Sequence, residues 1–143
     1  MRIAVVVAQF NDFVTSRLRD GALAQLREAG LGAGDLRVVD VPGAFEVPQM
    51  ARRLADTGHY DGIVCLGCLI RGATPHFEYI AEAVAHGIMT AAMESGIPMS
   101  FGVLTTNSAE EALERAVEGP SNKGREAAQA VIDMVRAGEG LGA

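Results

Sequence analysis

Apolar runs and amphipathic stretches alternate along the whole chain. "RIAVVVA" (2–8) is a continuous, valine-rich run, the pattern of a strand buried on both faces. After "QFND", Val14, Leu18, Ala22 and Leu26 recur at helical spacing up to a stop at Gly30. "DLRVVDV" (35–41) predicts a second strand, and "PGAF" leads into a helix through Met50 and Leu54 that ends near Gly58. "DGIVCLGCLI" (61–70) predicts a third strand, followed by a long helix over about 75–95 with Gly96 as its stop. "PMSFGVLT" (98–105) predicts a fourth strand. Ser108 and Glu111 then form an S-x-x-E capping box for the next helix. A last helix is predicted from about Asn122 to Ala137, and residues 139–143 are expected to form a flexible tail after a single α/β domain spanning 1–138.

Four strands alternating with helices predict an α/β three-layer sandwich: a four-stranded parallel sheet with helices on both faces. Right-handed crossovers favour a flavodoxin-like order 2-1-3-4. In such sheets ligands bind beyond the carboxyl ends of the strands. Residues from "QFN" (9–11), "PGAFE" (42–46), "IRGATPH" (70–76) and "TTNS" (105–108) are therefore expected to converge.

Composition narrows the function classes. The 143 residues suit one domain; hydrophobic residues make up 49% and mean hydropathy is +0.19, the apolar end for a soluble domain. No apolar stretch has the length of a membrane span, and the start does not read as a signal peptide, so a cytoplasmic protein is expected. The net charge of −6, with no basic stripe, argues against a nucleic-acid partner. Cys65 and Cys68 form a C-x-x-C inside an apolar run; they read as small strand residues, because a redox pair opens a helix and no second C-x-x-C exists for zinc. No metal is expected.

The junction "RGATPH" carries more chemistry than a turn needs. Thr74 before Pro75 reads as an N-cap with proline at the first helical position, which puts His76 in the first turn. Free N–H groups there form an anion site, and Gly72 permits close approach of the backbone to a ligand. An imidazole in that turn is suited to accept or give a proton, which makes His76 the candidate acid–base group. An ordinary turn with an exposed histidine is the competing reading. Phe10 suits stacking on a flat heterocycle or stapling onto its own helix; Glu46 suits a polyol or simply a helix start. His59 and His86 read as surface residues. Arg115 and Lys123, the latter the one lysine in the chain, read by residue type as solvated charges. The helix after His76 is apolar nearly all round, which predicts cover from a second subunit.

Five segments in this order and spacing, "VVAQFND", "VPGAFEVP", "GCLIRGATPHFEYI", "FGVLTTNSAEEALERA" and "SNKGREAA", resemble the lumazine synthase family over essentially the whole chain. The resemblance implies condensation of 5-amino-6-(D-ribitylamino)uracil with 3,4-dihydroxy-2-butanone 4-phosphate, with no cofactor. It implies that Phe10 stacks on the pyrimidine, that Ala44, Phe45 and Glu46 hold the pyrimidine and ribityl chain, and that Cys68, Leu69 and Ile70 read the pyrimidine edge. Ala73 and Thr74 would hold phosphate, and His76 would transfer protons. Phe101 and Arg115 would come from a neighbouring identical subunit, with Arg115 on the phosphate and Lys123 near the same site. Homopentamers follow from the resemblance, with riboflavin synthase a further candidate partner. Two departures, the short start before "RIAVVVA" and the turn "VEGPS", fall where family members make subunit contacts, so assembly size stays open. Alternatives are an archaeal-type riboflavin synthase and a non-catalytic flavin carrier or shell protein.

Overall fold

The computed structural model describes residues 1–141. Its strands are β1 (Ile3–Ala8), β2 (Leu36–Val41), β3 (Gly62–Ile70) and β4 (Met99–Thr106). Its helices are α1 (Asp12–Glu28), α2 (Val47–Asp56), α3 (His76–Ser95), α4 (Ala109–Arg115) and α5 (Lys123–Glu139). The strands form one all-parallel sheet in the order β2-β1-β3-β4, as the alternating pattern predicts.

Burial explains which run became which strand. Every residue of β1 is buried, because β1 has strands on both sides and helices on both faces. β2 lies at an edge and buries only Val41 fully, so its apolar content is lower. One core packs Val5, Val64 and Leu66 against Leu18, Leu26, Val131 and Ile132 of α1 and α5. The other packs Val6, Ile63 and Cys65 against Val47, Ala51, Val84 and Ile88 of α2 and α3. The stripe Val14, Leu18, Ala22, Leu26 is fully buried, which fixes the inward face of α1.

Glycines set how closely some layers approach. A Cβ on Gly87 of α3 would lie 2.9 Å from the Cβ of Pro48, so α2 and α3 meet at this point. A Cβ on Gly124 would overlap the Leu18 carbonyl, and α5 crosses α1 there.

Two boundaries differ from expectation. α3 starts at His76 with Pro75 as its N-cap, one residue later than "Thr74 cap, Pro75 first". The Pro75 carbonyl accepts the first helical bonds from the N–H groups of Glu78 (3.1 Å) and Tyr79 (3.4 Å). Thr74 is thus one position too early to cap, and no side-chain cap bond forms. α5 runs two residues past Ala137, to Glu139; of the expected tail, residues 142 and 143 lie outside the described residues.

Candidate functional site

The loops after β1, β2 and β3 converge beyond the carboxyl ends of the strands. Backbone bonds tie the first two together: the N–H groups of Gln9 and Phe10 donate to the carbonyls of Val41 (2.8 Å) and Pro42 (3.0 Å). The third is tied to the exit of β4, where the Arg71 N–H donates to the Thr106 carbonyl at 2.8 Å. Between these loops lies a cavity of about 440 Å³. Its size suits a small molecule rather than a macromolecule.

Nine expected residues line it: Phe10, Ala44, Phe45, Glu46, Cys68, Leu69, Ile70, Thr74 and His76. Phe10 is 69% exposed and Phe45 62% exposed, so both rings present uncovered faces at the cavity rather than stapling into the core. That decides the stapling alternative for Phe10. Two unburied aromatics flanking a cavity suit a flat, partly apolar ligand. Glu46 precedes α2 but makes no capping bond to it, which leaves its carboxylate available to hydroxyl or N–H donors. His76 opens α3, and the N–H groups of His76 and Phe77 precede the first helical bonds, which Glu78 and Tyr79 make to Pro75. An anion seated on that turn would meet hydrogen-bond donors and the positive end of a 20-residue helix. Ala73 is exposed in the same loop, though it does not line the cavity.

Three expected residues stand apart. Phe101, 49% exposed at the open edge of β4, shares a second cavity with Lys123. Lys123 opens α5 and pairs with Glu126 at 3.0 Å. Arg115 ends α4 and pairs with Glu111 at 3.2 Å. One subunit therefore brings together the aromatic rings, Glu46 and His76, and holds Phe101, Arg115 and Lys123 elsewhere.

Cys65 and Cys68 are buried free thiols on opposite faces of β3, one in each core. Burial pushes the Cys65 thiol up to about 12 and the Cys68 thiol up to about 11. Neither is poised as a thiolate, and their opposed directions do not suit a disulfide. No cluster of three or more metal-ligating side chains occurs among the described residues.

Two residues, Asn11 lining the cavity and Arg71 beside it, make contacts that the sequence does not show. Asn11 takes a left-handed backbone (φ 64°, ψ 44°) and donates from Nδ2 to the Cys68 carbonyl at 2.9 Å. Its position before α1 resembles an N-cap, which hides this bond from a sequence reading. Arg71 stacks over the Phe77 ring at 4.8 Å, pairs with Glu78, and donates from Nε to Asn107 at 3.0 Å.

The family model described as 6,7-dimethyl-8-ribityllumazine synthase matches residues 1–139. A 6,7-dimethyl-8-ribityllumazine synthase of Syntrophus aciditrophicus (strain SB) is 48% identical over 135 residues, 94% of this chain and 88% of the relative. One of Nitratidesulfovibrio vulgaris (strain DP4) is 47% identical over 141 residues, 99% of this chain and 90% of the relative.

Proposed function

The chain belongs to the 6,7-dimethyl-8-ribityllumazine synthase family, and from that premise we propose that it condenses 5-amino-6-(D-ribitylamino)uracil with 3,4-dihydroxy-2-butanone 4-phosphate in riboflavin biosynthesis. The product is 6,7-dimethyl-8-ribityllumazine; phosphate and water leave. The observation that carries the reading is one cavity lined by exposed aromatic rings, a free carboxylate, a histidine and a helix start. The two substrates need those four features: a stacking surface, a polyol acceptor, a proton carrier and an anion seat.

The pyrimidine stacks on Phe10. Ala44 and Phe45 border it, and Glu46 accepts hydrogen bonds from ribityl hydroxyls. Backbone groups of Leu69 and Ile70 read the pyrimidine edge. The Cys68 carbonyl accepts from Asn11, which fixes the end of β3 where it borders the pyrimidine. The phosphate of the second substrate sits against the 72–76 turn, with Ala73 and Thr74 beside it.

Attack of the 5-amino group on the ketone makes a C–N bond and leaves an alkoxide that must gain a proton while the ammonium loses one. His76, at the junction of the two half-sites, supplies that transfer. Loss of water gives the imine. Elimination then breaks the C–O bond to phosphate, whose growing charge is held by the helix-start N–H groups and an arginine. Ring closure and loss of a second water complete the product. Much of the acceleration is expected from holding both substrates in register.

Phe101, Arg115 and Lys123 complete the site of a neighbouring identical subunit. The uncovered apolar surface of α3 supports such packing: Tyr79 is 70% exposed, Met89 62% and Met93 76%. Contacts of this head-to-tail type close into a ring, here of five. The chain is read as acting in the cytoplasm; among the described residues no helix is long and apolar enough to cross a membrane. Riboflavin synthase, the enzyme that would consume the product, is the partner this reading suggests.

The direct test supplies both substrates and follows lumazine fluorescence together with phosphate release. Equal rates of the two signals, dependent on both substrates, are expected. Phosphate release without lumazine, or no turnover, overturns the reading.

A further inference from the structure

A chain of polar contacts runs from the helix start that carries His76 to Arg115. It begins at Arg71, whose planar guanidinium is held on three sides. Its face lies on Phe77, Nη1 donates to Glu78, and Nε donates to Asn107 Oδ1 at 3.0 Å. The Asn107 N–H donates to Glu111 Oε2 at 3.1 Å. Glu111 pairs through Oε1 with Arg115 at 3.2 Å, and its backbone carbonyl also accepts from Arg115 Nη1 at 3.2 Å. The Glu111 N–H donates to Ser108 Oγ at 3.1 Å, which fixes the residue in the first turn of α4.

Single ion pairs at this exposure add little stability. A run of them that crosses two loops and restrains one guanidinium at each end is better explained by geometry. Arg71 is held at several atoms, and Arg115 makes both of its contacts to Glu111 through Nη1, which narrows the directions its guanidinium can take.

We propose that Arg71 is a positioning residue, which acts through Asn107 and Glu111 to hold Arg115 in its phosphate-binding orientation. The same side chain braces the 71–76 turn through Phe77 and Glu78. In a ring of subunits, the anion turn of one site would thus be tied to the arginine given to the next. This inference rests on the reading of Arg115 as a phosphate ligand.

The test measures kcat and the KM of each substrate in Asn107→Ala, Asn107→Asp, Arg71→Ala, Arg115→Ala and the double variant Asn107→Ala/Arg115→Ala. Asn107→Ala and Arg71→Ala are each expected to raise the KM of the phosphate-bearing substrate by about fivefold, with the pyrimidine KM within about twofold. Asn107→Asp keeps an acceptor for Arg71 Nε and is expected to restore a near-native KM, which a general loss of fold would not allow. In the Arg115→Ala background, Asn107→Ala should add no more than about twofold. If Arg115→Ala has its effect and the double variant shows the full product of both, the relay is wrong and the function stands. If Asn107→Asp is as impaired as Asn107→Ala, the relay is also wrong. If Arg115→Ala leaves both KM values unchanged, the phosphate assignment of Arg115 falls first and the relay falls with it.

Discussion

Asn11 and Cys68, 57 positions apart, are joined by a bond of 2.9 Å from the asparagine amide to the cysteine carbonyl. The bond spans the carboxyl ends of β1 and β3, and Asn11 and Cys68 line the same cavity as Phe10. Asn11 holds a left-handed backbone to make it, the one non-glycine residue with positive φ among those described. Asparagine tolerates that conformation better than most residues.

Alanine and glycine at this position separate the two components. Asn11→Gly loses the bond and keeps the backbone shape without penalty, so stability should fall by about 1 kcal/mol. Asn11→Ala loses the bond and adds the left-handed cost, for a total of about 2–3 kcal/mol. Urea unfolding at fixed protein concentration checks the order. Both variants should also weaken pyrimidine binding, since the loop that presents Phe10 is then tied only by its backbone bonds to β2. Equal stability of the two variants would mean that the left-handed backbone carries no cost here.

His76→Ala should lower kcat while pyrimidine binding changes little. Loss of an acid–base group costs about 10²–10⁴-fold in general, and the lower end is expected because amine–ketone condensation proceeds partly unaided. Steady-state rates at saturating concentrations of both substrates, with pyrimidine affinity measured by fluorescence titration, check this. An unchanged kcat removes His76 from proton transfer.

The fold was legible because its signals are local and redundant. Four apolar runs separated by helical stripes leave few topologies, and right-handed crossovers select the observed order. The cavity was half legible: strand ends must converge, so the sequence alone makes Phe10, Glu46 and His76 candidates. What the sequence hid is cooperative. Pro75 takes the cap position that Thr74 suggests, because the boundary depends on which carbonyl accepts the first helical bonds. Asn11 and Arg71 look like ordinary loop residues until their partners, 57 and 36 positions away, are seen.

Asn122 is a third such case. It is 2% exposed, and Nδ2 faces the carbonyls of Ala116 (3.0 Å), Val117 (3.2 Å) and Arg17 (3.3 Å). Oδ1 accepts from the N–H groups of Gly124 (2.8 Å) and Arg125 (3.1 Å). One side chain therefore caps α5, satisfies the carbonyls that follow α4, and reaches the Arg17 carbonyl inside α1. Asn122→Ala should destabilise by about 2–4 kcal/mol, the cap plus unsatisfied buried carbonyls. Asn122→Asp keeps the cap acceptor but turns a buried carboxylate oxygen toward three carbonyl oxygens, so it is expected to unfold at or below the temperature of the alanine variant. An alanine variant as stable as the native chain would show that water replaces the amide.

The buried thiols predict a pH effect with a definite sign. Their ordinary value is 9.0, and folding raises Cys65 to about 12 and Cys68 to about 11. Between about pH 9 and 11 the unfolded chain loses thiol protons that the folded chain keeps. Stability from the neutral buried thiols is thus complete below pH 9 and declines as pH rises, by about 1.4 kcal/mol per pH unit for each thiol. Alkylation by iodoacetamide at pH 8 should be slow in the folded protein and rapid in urea. Fast modification of the folded protein would contradict the burial of both side chains.

The proposed sharing of the site between subunits gives the last prediction. Phe10, Glu46 and His76 line one cavity that Arg115, paired with Glu111 at 3.2 Å, does not line; in the proposed ring the phosphate grip is completed by Arg115 of a neighbouring subunit. His76→Ala and Arg115→Ala should each be impaired alone. Unfolded together and refolded as a mixture, they form rings in which some sites take His76 from one variant and Arg115 from its neighbour. Those sites carry both native side chains, and activity should exceed that of either variant refolded alone. If subunits mix freely, about a quarter of the sites are fully native, since each of two neighbours must be of the right kind with even odds. Recovery near that fraction supports a site built across subunits. Light scattering with a simultaneous assay gives the opposing outcome: a fully active monomer would place every required group on one chain.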